Sequence, residues 1–588
     1  VTGPSRRSFV AAVAGVGSGA AAVGGAPAAS AAGPATPAHR PSLTASVTLA
    51  PGLVPGPVTG RVYVILTTDA DSEPREQAGD VADGVPFWGL DVTGLAPGRS
   101  TSVPLAAPAV GFPLADASAL PPGTYRAQAF FNVYTHFSRS DGAEIDLHLP
   151  GGDGHDVFAS TGNLYGPVVE VTVPATGNRR TLRLTLDTVV QPSEPVPAGG
   201  TSQQGNPAES RHVKHVKIRS AVLSEFWGRD TYVAADVLLP LGYDEAANRT
   251  VRYPMELHHG HFPGDAPRGF TEDGGNEFSA YWLSGTAPKF ITVTFRHENP
   301  YYDDSYAVDS ANIGPYGTAL NTELLPEVDR RFRTIGAPWA RVLSGGSTGG
   351  WEAAATQIFY PDLYQGAWAG YPDPLDFHAH QLVDVYDDDN ACVTHHAYLD
   401  VPVPSAREVS GKTQYTMGQE NGWERALGSR GRSGLGQWDV WQAVFSPRGA
   451  DGYPKPIWDK ATGEIDHDVA AHWRDHFDLA TYVEEHWDEL RDKLDGRLTI
   501  YVGDADTYFL NVGVNLFKER VDKLEGSNVT YRFGRDQPHG WEPWTTREFY
   551  DLLADHVVAQ APGAQRGAVT SWRAAVAPAD ATGRATLG

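Results

Sequence analysis

The sequence predicts a mostly parallel β-sheet flanked by helices, preceded by an all-β, sandwich-like domain. Three observations point there. Up to about residue 190 short alternating apolar runs are separated by Gly/Pro-rich turns, with few helix-like stretches. From about residue 212 strand-like runs alternate with helix-like ones, the texture of an α/β sheet. Between the two, residues 191–211 are rich in Pro, Gly, Ser and Gln and read as a linker.

Composition bounds the rest. A chain of 588 residues is too long for one core, so two folded domains plus tails are expected. Apolar content of 41% and aromatic content of 10% support packed cores rather than disorder. A net charge of −25 argues against nucleic acid or an anionic membrane surface as the main partner. The one cysteine, Cys392, allows no intrachain disulfide.

Residues 1–41 read as a twin-arginine-type signal peptide and flexible segment. The stretch Ser5-Arg6-Arg7-Ser8-Phe9-Val10 resembles the twin-arginine motif. A small-residue apolar run follows from Ala11 to Ala29, and Ala29-Ser30-Ala31 offers an A-x-A cleavage pattern. No later run is long enough to span a bilayer, so a secreted protein with no stable membrane association is expected.

Within residues 42–190 the runs Leu43 to Leu49, Gly60 to Leu66, Thr124 to Tyr134, Val168 to Val173 and Thr181 to Leu186 read as strands. Sheets of this kind must cover each other's apolar faces, hence the sandwich. Residues 212–560 are the α/β unit. Its strands are read at Tyr232 to Leu239, Tyr253 to Leu257, Phe290 to Phe295, Ala340 to Leu343, Leu498 to Val502 and Val529 to Phe533. Helices are read at Ala319 to Phe332, Trp351 to Phe359, Leu479 to Leu494 and Val512 to Lys523. Residues 376–478 interrupt the alternation as a lid-like insertion. It holds Trp423, Trp438, Trp441, Tyr453, Trp458 and Trp473, which suit a core first and an aryl or sugar pocket second. Its acidic run Asp384 to Asp389 reads as a solvated loop, with a Ca2+ site as the lesser reading. Residues 561–588 are a C-terminal tail.

Chemistry concentrates in four places. Gly345-x-Ser347-x-Gly349 follows an apolar run and precedes a helix-like one, the setting of a nucleophile elbow. A serine hydroxyl is a poor nucleophile until a histidine takes its proton, and that histidine needs a carboxylate to fix its tautomer. Asp504 and Asp506 lie just past the strand at Leu498, and His539 lies just past the strand at Val529. Ser, acid, His is the chain order of the α/β-hydrolase fold. Asp506 is the preferred acid and Asp504 the alternative; an Asp-x-Asp pair also suits loop capping or Ca2+. The oxyanion donors are expected from the amide of Thr348 and from the loop after Tyr253 to Leu257, at His261 or Gly260. The competing use of that loop is a metal site of His258, His259 and His261. No His-Glu-x-x-His pattern or cysteine cluster supports it, so no metal and no cofactor are expected.

Four stretches carry a resemblance to a known family: Tyr253-Pro254 with the His259-Gly260 loop; Asn312 to Gly317 followed by Glu323 to Phe332; Ser344 to Gly350; and Gly503 to Asp506 with Pro538-His539-Gly540. Over roughly residues 212–555, apart from the insertion, the chain resembles the esterase family of the α/β-hydrolases that includes esterase D, feruloyl and enterochelin esterases and mycolyltransferases. The resemblance implies metal-free serine catalysis on a small-molecule or polymer-borne ester by Ser347, Asp506 and His539. An acyltransferase or peptidase would use the same triad. A reading of another class is a non-catalytic binding protein whose β domain does the work.

Overall fold

The computed structural model describes residues 42–148, 157–177, 179–191, 208–261, 266–301 and 304–567. The segment read as an export signal, most of the linker and the tail from residue 568 lie outside the described residues.

The second half of the chain is organised by one sheet. Its strands are β1 (Val213–Ser220), β2 (Thr231–Leu238), β3 (Met255–His259), β4 (Ile291–Arg296), β5 (Arg341–Gly346), β6 (Ala367–Gly370), β7 (Leu498–Gly503) and β8 (Thr530–Gly534). Their spatial order is β1-β2-β4-β3-β5-β6-β7-β8. β2 runs antiparallel to both neighbours, and every other pair from β4 to β8 is parallel. The fold is that of the α/β-hydrolases.

A parallel sheet needs cover on both faces, and its strands alternate between two cores. Leu343 on β5 and Ile500 on β7 join the core that holds Ala353, Ala354 and Ile358 of helix Thr348–Phe359. Their neighbours Val342 and Tyr501 point the other way, onto Tyr550, Leu553 and Val557 of helix Thr546–Gln560. The central strands are buried almost throughout, β4 completely, which is why they read as apolar runs. β1 escaped that reading because its Lys, His and Arg residues break the run at a sheet edge. β6 escaped it because it has four residues. The predicted helix from Ala319 to Phe332 is a π-helical stretch, Ala319–Leu324, followed by an α-helix, Leu325–Arg331. Pro326 sits at the join, where it lacks an N–H for the regular ladder. Among the described residues no helix is long and apolar enough to cross a membrane.

The N-terminal half packs two sheets. Strand Leu43–Leu49 lies between Arg180–Leu186 and Ser100–Pro104 in a three-stranded sheet. A larger sheet is centred on the antiparallel pair Val58–Thr67 and Gly123–Ser138. Ala45, Val47 and Leu49 of the first meet Val62, Val64, Leu66 and Phe131 of the second. The far face of the larger sheet, with Tyr63, Ile65, Phe87 and Phe130, is also buried. Trp423, Ala426 and Leu427 of helix Met417–Leu427 cover it. Arg61 reaches across to the Ala426 carbonyl at 3.0 Å, and Tyr63 Oη donates to that of Leu427. The β domain is therefore docked on the insertion between β6 and β7. Inside the insertion Trp438, Trp441, Trp458 and Trp473 are fully buried. His380 packs edge-on to Trp441 at 4.4 Å. These indoles form core rather than pocket lining. Asp384 caps its own turn, accepting from the amides of Tyr386 and Asp387.

Candidate active site

Ser347 stands between β5 and helix Thr348–Phe359 with φ 58° and ψ −124°. Such backbone is rare for a residue with a Cβ and costs on the order of 1–3 kcal/mol. It is the strained strand-to-helix turn of a nucleophile elbow. The flanking glycines make the turn possible. A Cβ on Gly345 would collide with the Gly349 carbonyl, and one on Gly349 would stand 2.5 Å from the His259 carbonyl oxygen. The same Gly349 position lies 3.0 Å from the Gly260 amide nitrogen, so the loop after β3 sits directly on the first helical turn.

The loops after β7 and β8 bring two more residues in. His539 Nε2 lies 3.1 Å from Ser347 Oγ, and its Nδ1 lies 2.8 Å from Asp506 Oδ2. With Nδ1–H donating to the carboxylate, Nε2 keeps the lone pair that faces the hydroxyl. Asp506 is fully buried. Its Oδ1 accepts from the amides of Tyr508 at 2.9 Å and Leu510 at 3.2 Å, which leaves Oδ2 for the imidazole. Asp504, on the same loop, is exposed and accepts from the Asp536 amide at 2.6 Å. Of the two aspartates, Asp506 is the one joined to His539. Tyr371 and Tyr508 hold the imidazole between them, edge-on, with ring centroids at 4.8 and 5.0 Å.

Three supporting residues carry no local signal in the sequence. Arg407, from the insertion, donates to the carbonyls of Asp506 at 2.9 Å and Asp504 at 3.2 Å. The Arg407 amide also meets the Thr507 carbonyl at 2.9 Å, so the insertion braces the acid loop. Asp373, just past β6, accepts from Tyr306 Oη at 2.6 Å and Thr348 Oγ1 at 2.9 Å. Its amide donates to the Ser347 carbonyl at 3.2 Å. Burial pushes the Asp373 carboxyl up. Glu352, one turn into the helix, lies against His259. All three are assembled from segments far apart in the chain.

Of the expected oxyanion donors, Thr348 opens the helix, where an amide has no carbonyl partner in the helix itself. Gly260 lies against that turn, and the exposed His261 is one residue further out. The three histidines of the competing metal reading do not form a common ligand set among the described residues. His258 and His259 are adjacent on β3 and face opposite sides. His258 Nδ1 meets Ser344 Oγ at 3.0 Å, whereas His259 Nδ1 meets Glu352 Oε2 at 3.1 Å. Burial drives both imidazoles down to about 3.

Glu256, on β3, is a buried brace. Burial alone would raise its carboxyl, but the Arg268 guanidinium holds it down at about 2. Ser344 Oγ at 2.7 Å, Thr292 Oγ1 at 3.0 Å and Tyr550 Oη at 2.6 Å complete its hydrogen bonds. Beside the elbow a cavity of about 330 Å³ is lined by Gly260, Gly346, Arg268, Tyr371, Glu542 and Tyr501, among others.

No protein-family profile matches the chain, and no curated protein matches it. Among solved structures, a ferulic acid esterase is 18% identical, with 60% of this chain and 99% of that one covered and a TM-score of 0.34. An S-formylglutathione hydrolase from Agrobacterium tumefaciens is 12% identical, covering 59% and 95%, with a TM-score of 0.31. FphF, a fluorophosphonate-binding serine hydrolase of Staphylococcus aureus, is 13% identical, covering 59% and 98%, also with a TM-score of 0.31. Similarity at this level adds nothing to the fold described above and says nothing of activity.

Proposed function

We propose that the protein is a serine carboxylic ester hydrolase, exported by the twin-arginine route and belonging to the esterase branch of the α/β-hydrolases. One observation carries the reading: Ser347 Oγ, His539 and Asp506 form a continuous chain with separations of 3.1 and 2.8 Å. In that chain His539 Nε2 takes the hydroxyl proton as Ser347 Oγ attacks the acyl carbon. Asp506 orients the imidazole and stabilises the imidazolium that forms. The protonated Nε2 then gives its proton to the leaving alcohol, and an acyl-enzyme remains. Water, deprotonated by the same nitrogen, attacks the acyl carbon and releases the acid and free Ser347.

The charge on the tetrahedral oxygen falls to the Thr348 amide and to the amide of Gly260 or His261. Each such donor is worth about 3 kcal/mol when it is preorganised. His539 keeps 19% of its side chain exposed, which leaves the general base open to water. The substrate is a small-molecule or polymer-borne ester. Transfer to another acceptor would pass through the same acyl-enzyme and is separated by product analysis.

The test is covalent. An organophosphonate is expected to form one stable adduct, mapped by peptide mass spectrometry to Ser347, and to abolish turnover of aryl esters. Intact, folded protein that takes up no label would remove the proposal.

A further inference from the structure

We propose that Glu352 is a positioning residue for the oxyanion hole, fixing the loop after β3 against the nucleophile helix by holding the His259 side chain. The inference deepens the esterase reading and rests on it. The observations come from three directions. Glu352 lies on the helix that Ser347 begins, one turn in, and is fully buried. His259 is the last residue of β3, is 3% exposed, and immediately precedes Gly260 and His261. Their side chains meet at 3.1 Å, Nδ1 to Oε2. The His259 main chain is meanwhile the surface on which Gly349 rests. Thus the same residue touches the helix twice, through its carbonyl at the elbow and through its imidazole one turn further on. A carboxyl group buried this deeply is costly unless polar partners meet it, and burial holds it well above the usual carboxylate range.

His259 is not the sole neighbour of Glu352: the Asp304 side chain lies within hydrogen-bonding reach of it. The next imidazole, His297 Nε2, stands 3.7 Å from Oε1. His297, Asp304 and Glu352 bring ligand-capable atoms within 4.8 Å of one another, so a bound cation is the competing explanation. The hydrogen bonds of His297 speak against it. Its Nδ1 accepts from the Ser305 amide at 3.3 Å and lies 2.8 Å from Ser305 Oγ. A neutral imidazole that accepts at Nδ1 carries its proton on Nε2, which faces Glu352 as a donor and not as a ligand. The buried side chains of His259, His297, Asp304 and Glu352 pack together, and the loop after β3 hangs from them.

The variants Glu352→Leu, which keeps volume, and Glu352→Gln, which keeps a polar group able to meet His259 Nδ1, separate the readings. Glu352→Leu is expected to lower kcat on an aryl ester roughly 10- to 100-fold with KM changed less than about 3-fold, since a misplaced donor costs less than a deleted one. Its affinity for a trifluoromethyl ketone, which mimics the tetrahedral oxyanion, should fall by the same factor. Glu352→Gln should recover activity to within about 3-fold of the parent. Thermal melts and phosphonate labelling of Ser347 establish that each variant is folded with a competent serine. If Glu352→Leu does not fold, His259→Asn reads the same contact from the loop side, with the same expected pattern. Parent-like kcat and ketone affinity in the folded variant would overturn the proposal. So would Glu352→Gln failing as badly as Glu352→Leu, together with about one equivalent of metal released from the denatured parent protein. Failure of the parent itself to label or to hydrolyse esters would instead sink the esterase reading beneath it.

Discussion

Replacing Ser347 with alanine is expected to lower kcat on an activated aryl ester by roughly 10⁶-fold, and His539→Ala by a similar factor. The double variant should be no worse than either single one. The two side chains act as one unit: at 3.1 Å from Oγ, Nε2 has no function without the hydroxyl, and the hydroxyl is inert without Nε2. A 10⁶-fold loss corresponds to about 8 kcal/mol of transition-state stabilisation. KM should change little, because neither side chain is asked to bind the ground state. What survives, roughly 10³-fold over water, would come from the oxyanion donors and from substrate positioning. Steady-state kinetics on the three variants checks this. Losses that multiply, or a single-variant loss below about 10-fold, would show that the two residues do not share a reaction coordinate.

The second large effect distinguishes two aspartates separated by one residue. Asp506→Asn should cost roughly 10⁴-fold in kcat, whereas Asp504→Asn should stay within about 3-fold of the parent. The difference is one of hydrogen-bond direction. Oδ2 of Asp506 accepts from His539 Nδ1 at 2.8 Å. An asparagine amide in that place can donate to Nδ1, which moves the imidazole proton to Nε2 and blocks it as a base. Asp504 has its oxygen on the Asp536 amide and is exposed, so its loss loosens a turn and leaves the imidazole untouched. The two variants are compared by kcat at fixed pH alongside thermal melts. Equal losses would mean that the loop, and not the carboxylate, is what matters.

What was legible in the sequence was local. The elbow is encoded in ten consecutive residues, because its glycines are demanded by main-chain contacts and its serine by a fixed turn. The Asp504/Asp506 pair could be located because it follows a buried strand whose apolar run is readable, and His539 because it sits between Pro538 and Gly540 just past the last, largely exposed strand. The choice between the aspartates turns on which carboxylate points inward after a tight turn, and spacing does not encode that. The His-Gly loop was legible as a neighbour of the elbow, but not the sidedness of β3, which sends His258 and His259 to opposite faces and so parts them. Arg407, Asp373 and Glu352 were illegible for a different reason. Each acts through partners brought near by tertiary packing, and a lone Arg, Asp or Glu has no pattern of its own. The insertion is the extreme case. Its tryptophans pack on one another and on the β domain, so the composition announced aromatic burial without saying what was buried against what.

The central claim is that the Ser347 hydroxyl becomes acylated. Rapid mixing with an activated ester, followed by acid quench and mass spectrometry of the intact protein and its peptides, tests it most directly. The account predicts a burst of leaving alcohol close to one equivalent whenever deacylation is the slow step. It also predicts a single acyl group on Ser347 that disappears as the acid is released, and that Ser347→Ala never carries. Turnover of the ester with no acyl group on the protein under any quench, or with the group on another residue, would contradict it.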